Sequence, residues 1–204
     1  SGFYFAQKKS LAIGYSLNNS KRGFVHKVIL DIKNPLSNEK EQLISKKTIE
    51  KIITSAPNIL SSLENFGELK TTSKYEKYIN GESIDKKSMT REMLIINKRL
   101  INEVLDTYYN DEKTNVLELL NLLSTDFFDG EIKAFNEVVH KNLGYDSVEV
   151  EFNNHLFLGD NKFIIAWFPE QIKIVEIEKS KLLENQEIKL TKCKLLEKIK
   201  QKDL

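Results

Sequence analysis

One cysteine, three prolines, one tryptophan and no long apolar run set the first bounds on this chain of 204 residues. A lone Cys193 cannot close an intrachain disulfide and excludes a cysteine-cluster metal site, a usage that suits a reducing cytoplasm. No stretch approaches the roughly 20 consecutive apolar residues that carry a helix across a bilayer, and the 204 residues contain no signal-peptide pattern. Charge of one sign is missing too. Lysine and arginine number 31 against 30 aspartate and glutamate, so the net charge of +1 provides no global field to collect nucleic acid or an anionic membrane. The three histidines, His26, His140 and His155, stand apart without metal-ligand spacing and read as surface or strand-face residues. What remains is ample for one globular domain: 40% of the residues are hydrophobic, enough for a sizeable core at this length. A composition rich in lysine, asparagine and isoleucine points to an AT-rich coding genome and carries no chemistry.

Strand signals sit at the two ends and helix signals between them. Phe3–Phe5 starts as an aromatic strand, with Gly2 allowing another backbone or a ligand to approach, and Lys8–Tyr15 follows as a helical turn or two. A polar turn at 18–23 leads into a strand over 24–33 with Val25, Val28, Leu30 and Ile32 apolar. Asn34-Pro35 stops it, because proline gives no ladder donor and restricts the residue before it. From about 37 to 143 the period becomes helical. Ser45 caps a helix through Ile49, Ile52 and Ile53 that ends at Ala56-Pro57, and Pro57 opens a short helix carrying Ile59, Leu60 and Leu63. The polar stretch 68–87, with Asn80-Gly81, reads as a loop, and Met89–Tyr109 as one long amphipathic helix. Helices over 116–123 and 132–143 follow, the last closed by Gly144. Strands then return: 147–152 alternates strictly, His155–Leu158 reads as its hairpin partner across Asn153-Asn154, Phe163–Phe168 is nearly all apolar, and Ile172–Ile177 runs on after a Pro169-Glu170 turn. The remainder from Lys179 is charged, with Leu182, Leu183, Leu195, Leu196 and Ile199 suggesting one or two helices.

Four stretches carry a family resemblance. Gly2-Phe3-Tyr4-Phe5-Ala6, with Ala12 and Tyr15 behind it and the two tyrosines eleven residues apart, resembles the second motif of the diphtheria-toxin-like and poly(ADP-ribose)-polymerase-like ADP-ribosyltransferases. Val28–Leu36 resembles their "V-x-L-N-I-K-N-P-L" strand and exit turn, Leu143–Ser147 resembles "L-G-Y-D-G", and Asn161–Lys173 resembles the closing "N-E-Y-[IV]-V-[FY]-x-P-x-Q-I-K" strand pair. The combination is most similar to the ADP-ribosyltransferase-like domains in polyvalent proteins of bacteriophages and conjugative elements. It implies an α+β fold with a split, mostly antiparallel β-sheet, a helical insertion at about 37–143, a single domain over 1–178 and a charged extension over 179–204. It also implies a strand ahead of the first motif, carrying a His or Arg that binds the NAD ribose.

The chemistry implied is ADP-ribosyl transfer from NAD to a protein target in a bacterial cytoplasm. Breaking the nicotinamide–ribose bond builds an oxocarbenium-like charge, so the site must grip NAD, stack its nicotinamide and set a carboxylate near the ribose hydroxyls. By resemblance, Gly2 offers backbone groups to the nicotinamide amide, Tyr15 stacks on the ring, and Tyr4, Phe5 and Ala12 line the same pocket. Read without the resemblance, Tyr4 and Tyr15 are core aromatics of a strand and its helix. The family's glutamate position is Lys162, which accepts no hydrogen bond and repels an oxocarbenium. The carboxylates nearest in sequence are Asp160, two residues before Lys162, then Glu170, and the Glu149/Glu151 pair on one strand face. Two functions follow: an NAD-dependent mono-ADP-ribosyltransferase acting on a host macromolecule, or a catalytically degenerate domain of that fold serving as a binding module. Asp146 reads as the cap of a turn, Trp167 and Phe168 as core, and the lysine-rich stretches 70–87 and 189–202 as solvated faces.

Overall fold

A computed structural model describes residues 3–16, 22–155 and 159–181; the side chains of 14–16, 22–23, 152–155, 159–161 and 179–181 are outside that description. The fold is α+β, and its strands fall into separate sheets. β1 (Phe3–Ala6), β7 (Gly159–Ala166), β6 (Ser147–His155) and β3 (Pro35–Ser37) form one sheet in the order β1-β7-β6-β3. Its β1–β7 and β6–β7 pairs are antiparallel, and β3–β6 is parallel. A second sheet is the antiparallel ribbon of β2 (Arg22–Leu30) and β8 (Ile172–Lys181), and β4 (Glu41–Gln42) with β5 (Thr114–Asn115) makes a minor third. α1 (Lys9–Ser16) follows β1 and packs on β2, where Lys9 forms an ion pair with Glu178 of β8.

The helices between β3 and β6 build their own core. α2 (Lys46–Thr54) starts where Ser45 Oγ accepts the Thr48 N–H at 3.1 Å, and its Ile49, Ile52 and Ile53 face inward. α3 (Ile59–Glu64), α6 (Lys98–Tyr108), α7 (Val116–Phe128) and α8 (Ile132–Leu143) add Leu63, Leu105, Leu123, Phe127 and Val139, all 1% exposed or less. Phe127 lies in a stacked arrangement on Phe66, with centroids 5.5 Å apart. Among the described residues of the main sheet only Leu36 joins this core fully, with Trp167 leaning on it at the end of β7. Among the described residues most of the burial therefore belongs to the helical insertion, while the strands form a thinner layer along one flank.

Three expectations from the sequence change. The stretch 68–87 is not all loop: α4 (Ser73–Ile79) forms within it, capped by Thr72 Oγ accepting the Tyr75 N–H at 3.2 Å. It buries no residue, so the apolar period that betrays a helix is absent. Met89–Tyr109 is two helices, α5 (Lys86–Ile96) and α6, broken at Asn97. The Asn97 amide accepts from Lys70 N–H at 2.8 Å and donates to the carbonyls of Lys70 and Met93, both at 2.9 Å. A buried amide satisfied by backbone competes with helix continuation, which is why the break falls there. Finally, β6 passes through Asn153-Asn154 to His155, and His155 pairs with Gly159, so those asparagines are not the turn; residues 156–158 lie outside the described residues.

Candidate functional site

Each of the four stretches singled out in the sequence finds another of them in space. Phe3, Tyr4, Phe5 and Ala6 pair with Ala166, Ile165, Ile164 and Phe163, which lays the first motif along the last. At the other edge of the sheet the 28–36 stretch meets 143–147. The Asp146 carboxylate, 6% exposed, accepts the N–H groups of Lys33 at 2.8 Å and Asn34 at 3.1 Å and the Ser147 hydroxyl at 3.2 Å. Asn34 reciprocates, its side-chain amide donating to Gly144 O at 3.0 Å and its carbonyl accepting from Asp146 N at 3.2 Å. Gly144 ends α8 at φ 77°, a left-handed position where a side chain would be strained. Asp146 thus caps a turn, as expected, but a turn 112 to 113 residues away in sequence.

Gln171 fixes the corner between the sheets. Its side-chain oxygen accepts the N–H groups of Trp167 at 3.1 Å and Phe168 at 2.9 Å, while its carbonyl accepts from Asp31 at the end of β2 at 2.9 Å. The Pro169–Gln171 turn thereby holds β7 and β8 at a set angle. Trp167 and Phe168 serve packing, Phe168 meeting the His140 ring at 5.3 Å, and His140 Nδ1 lies 2.8 Å from the Tyr145 carbonyl. Tyr145, 2% exposed, donates its hydroxyl to Gln42 at 3.1 Å under the Lys40 ammonium.

The chemically distinctive group is on the face of the main sheet opposite the one that carries Leu36 and Val148. Residues opposite one another share a face, so Glu149, Ile164 and Phe5 form a row across β6, β7 and β1, and Glu151 and Lys162 form the next row. Lys162 lies in an ion pair with Glu149 and sits 3.5 Å from Glu151. The three side chains are 28%, 22% and 43% exposed. The hydrogen bond to Glu149 leads the causes that hold the Lys162 ammonium above its ordinary pKa, with the charge of Glu149 and then Glu151 adding to it against a partial desolvation. The sequence carried half of this signal, the alternation of Glu149 and Glu151; the register that brings Lys162 between them was the missing half.

The remaining candidates scatter. Tyr4 pairs with Ile165 and so belongs to the face opposite Lys162; it is 68% exposed at the sheet edge rather than in the core. Phe5 is half-buried on the Lys162 face, and Ala12 is half-buried in α1. Tyr15 falls in α1 with its side chain outside the described residues, as does the side chain of Asp160 in β7, and Gly2 lies outside them altogether. Glu170 is exposed in the corner turn after β7. Asp160 is the second residue of β7 and Glu170 lies past its far end, so some six strand residues, about 20 Å, separate the two positions and they do not form one catalytic pair.

Two open hollows among the described residues lie in the helical block. A polar groove of about 480 Å³ between α3 and α7 is lined by Asn58, Ser61, Asn65, Asp126 and Asp129, and Asp126 is already engaged by the Tyr108 hydroxyl at 2.6 Å. Among the described residues no three His, Cys, Asp or Glu side chains are grouped to hold a metal ion, and no helix is long and apolar enough to cross a membrane. No protein-family model, no curated protein and no solved structure matches this chain.

Proposed function

We propose that the chain is an ADP-ribosyltransferase-type domain that takes NAD as its substrate and, in its catalytic form, transfers ADP-ribose to a host macromolecule. The observation that carries this reading is the pairwise meeting of the four resembling stretches. Their contacts join segments more than 100 residues apart, β1 on β7 and the Asn34–Asp146 clamp, although nothing in their local composition requires it. The division of the strands into a β1-β7-β6-β3 sheet and a β2–β8 ribbon, with the helices inserted between β3 and β6, supports the split-sheet architecture that the resemblance implies. Tyr4, 68% exposed at the sheet edge, is not committed to core packing, although it lies on the face opposite Lys162.

A second reading is favoured by Lys162. At the position where transfer chemistry needs an acceptor for the ribose hydroxyls, a cation stands instead and neutralises the two neighbouring carboxylates. In this reading the domain keeps the fold as a binding module and turns over no NAD. A nicotinamide-release assay on the chain, with Lys162→Glu beside it, separates the two. Release by the native chain establishes the transferase; release by neither, with NAD still raising the melting temperature, establishes the binding module; neither release nor a thermal shift removes NAD from the account.

A further inference from the structure

The groove between α3 and α7 has two polar walls that the helical repeat builds. Asn58, Ser61 and Asn65 follow one another at three- and four-residue spacing from the N-cap of α3 to its C-cap, and Asp126 and Asp129 share a face at the end of α7. Phe66 lines the same hollow. Its ring stacks on Phe127 on one side, yet the residue is 38% exposed, which leaves part of an aromatic surface open to the groove. At about 480 Å³ the hollow falls within the range of about 300–1,000 Å³ usual for small-molecule sites.

The polar groups on these walls are uncommitted. Among the described residues the side chains of Asn58, Ser61, Asn65 and Asp129 make no hydrogen bond or ion pair within the protein, and the Tyr108 hydroxyl takes only Oδ2 of Asp126. Ser62 and Thr125, on the same walls, donate to backbone carbonyls instead. Asp129 also sits at φ 40°, a left-handed position that glycine fills without strain, so its carboxylate is kept there at a cost to the backbone. The charge of the walls narrows the ligand. Neither 52–69 nor 114–132, the stretches that supply them, contains a lysine or arginine, so a phosphate or carboxylate ligand would meet only like charge. A bare ammonium would satisfy the carboxylates and leave the amide NH₂ groups of Asn58 and Asn65 without an acceptor. A sugar hydroxyl both donates and accepts, which suits carboxylate, amide and serine together, and the C–H face of a sugar ring suits the exposed part of Phe66. We infer that this groove is a carbohydrate site: a neutral sugar lies against Phe66, its hydroxyls shared between Asn58, Ser61 and Asn65 on one wall and Asp126 and Asp129 on the other.

The groove belongs to the helical insertion and not to the main sheet, so its test is independent of the nicotinamide-release result. The full chain, isotope-enriched for NMR, is titrated with neutral oligosaccharides of glucose, mannose, galactose and N-acetylglucosamine at low and high salt. At least one of them is expected to shift the amide signals of 58–66 and 125–130 saturably, with an affinity that salt leaves unchanged because the ligand carries no charge. Asn65→Ala and Asp129→Gly are each expected to weaken that binding tenfold or more without lowering the melting temperature, since neither side chain has a partner within the fold. Absence of a saturable shift with every one of these sugars overturns the proposal, as do shifts confined to other parts of the chain. Binding that survives both substitutions also overturns it. So does a response to spermidine and to no sugar, which assigns the groove to a cation.

Discussion

Removing the charge of Lys162 tests whether the Glu149–Lys162–Glu151 arrangement is a stabilising structural device. Exposed ion pairs contribute about 0.2–1 kcal/mol each, and breaking a fully buried one costs about 3–5 kcal/mol. With the three side chains 22% to 43% exposed, solvent screens most of the interaction, so Lys162→Met is expected to cost about 1 kcal/mol. At this chain length that lowers Tm by roughly 2–4 °C. Lys162→Glu should cost more, about 2–3 kcal/mol, since it sets three carboxylates together and each like-charge contact at ~4 Å costs from ~1 kcal/mol in water upward. Urea titrations followed by circular dichroism at low and high salt measure both. High salt should narrow the gap for Lys162→Glu, as the screening length falls from about 10 Å at 0.1 M to about 3 Å at 1 M. The alkaline side has a definite sign. Because the folded pKa of Lys162 lies above its ordinary value, the pairing contributes fully below the unfolded lysine pKa of about 10.4 and is lost as pH rises through the folded pKa. The deficit of Lys162→Met should therefore close in that window. A Lys162→Glu chain as stable as the native one at low salt would refute the reasoning.

Asp146→Ala should be the more damaging change: it strips the acceptor from two backbone N–H groups and a hydroxyl, at a cost of about 3 kcal/mol, and denaturant unfolding should show it. A loss under about 0.5 kcal/mol, the range of neutral surface changes, would mean the clamp is dispensable. Leu123→Ala in the fully buried centre of α7 should cost about 2–5 kcal/mol, showing that the insertion holds the dominant core. Burial, and next the hydrogen bond to Asp126, push the Tyr108 pKa up, so its contribution is full below the unfolded tyrosine value of about 10 and is lost as pH rises through the higher folded pKa. Tyr108→Phe should flatten that part of the stability profile, and an unchanged alkaline slope would count against the Tyr108–Asp126 pairing.

The legible parts of this fold are those governed by near neighbours. Ser45 before Ile49, Ile52 and Ile53, and Gly144 after α8, state a helix start and a helix end in a few residues, and both stand where expected. α4 has the same kind of signal in Thr72 and Tyr75, yet with no buried face its pattern reads as loop. The break at Asn97 depends on Lys70, 27 residues earlier, and no local rule expresses that dependence. For the site, the alternation of Glu149 and Glu151 was visible in one strand. That Lys162 comes between them depends on the β6–β7 register, which the Asn153-Asn154 pair obscured by resembling a turn. The four stretches could be picked out one by one in the sequence; their meeting in space is a property of the tertiary fold.

The most direct measurement is a calorimetric titration of the chain with NAD, repeated with Tyr4→Ala and Tyr15→Ala. The account predicts saturable binding to the native chain that either tyrosine substitution weakens by tenfold or more, about 1.4 kcal/mol, the order expected for losing a stacking ring. No heat of binding to a chain shown to be folded, or binding indifferent to both tyrosines, would contradict it.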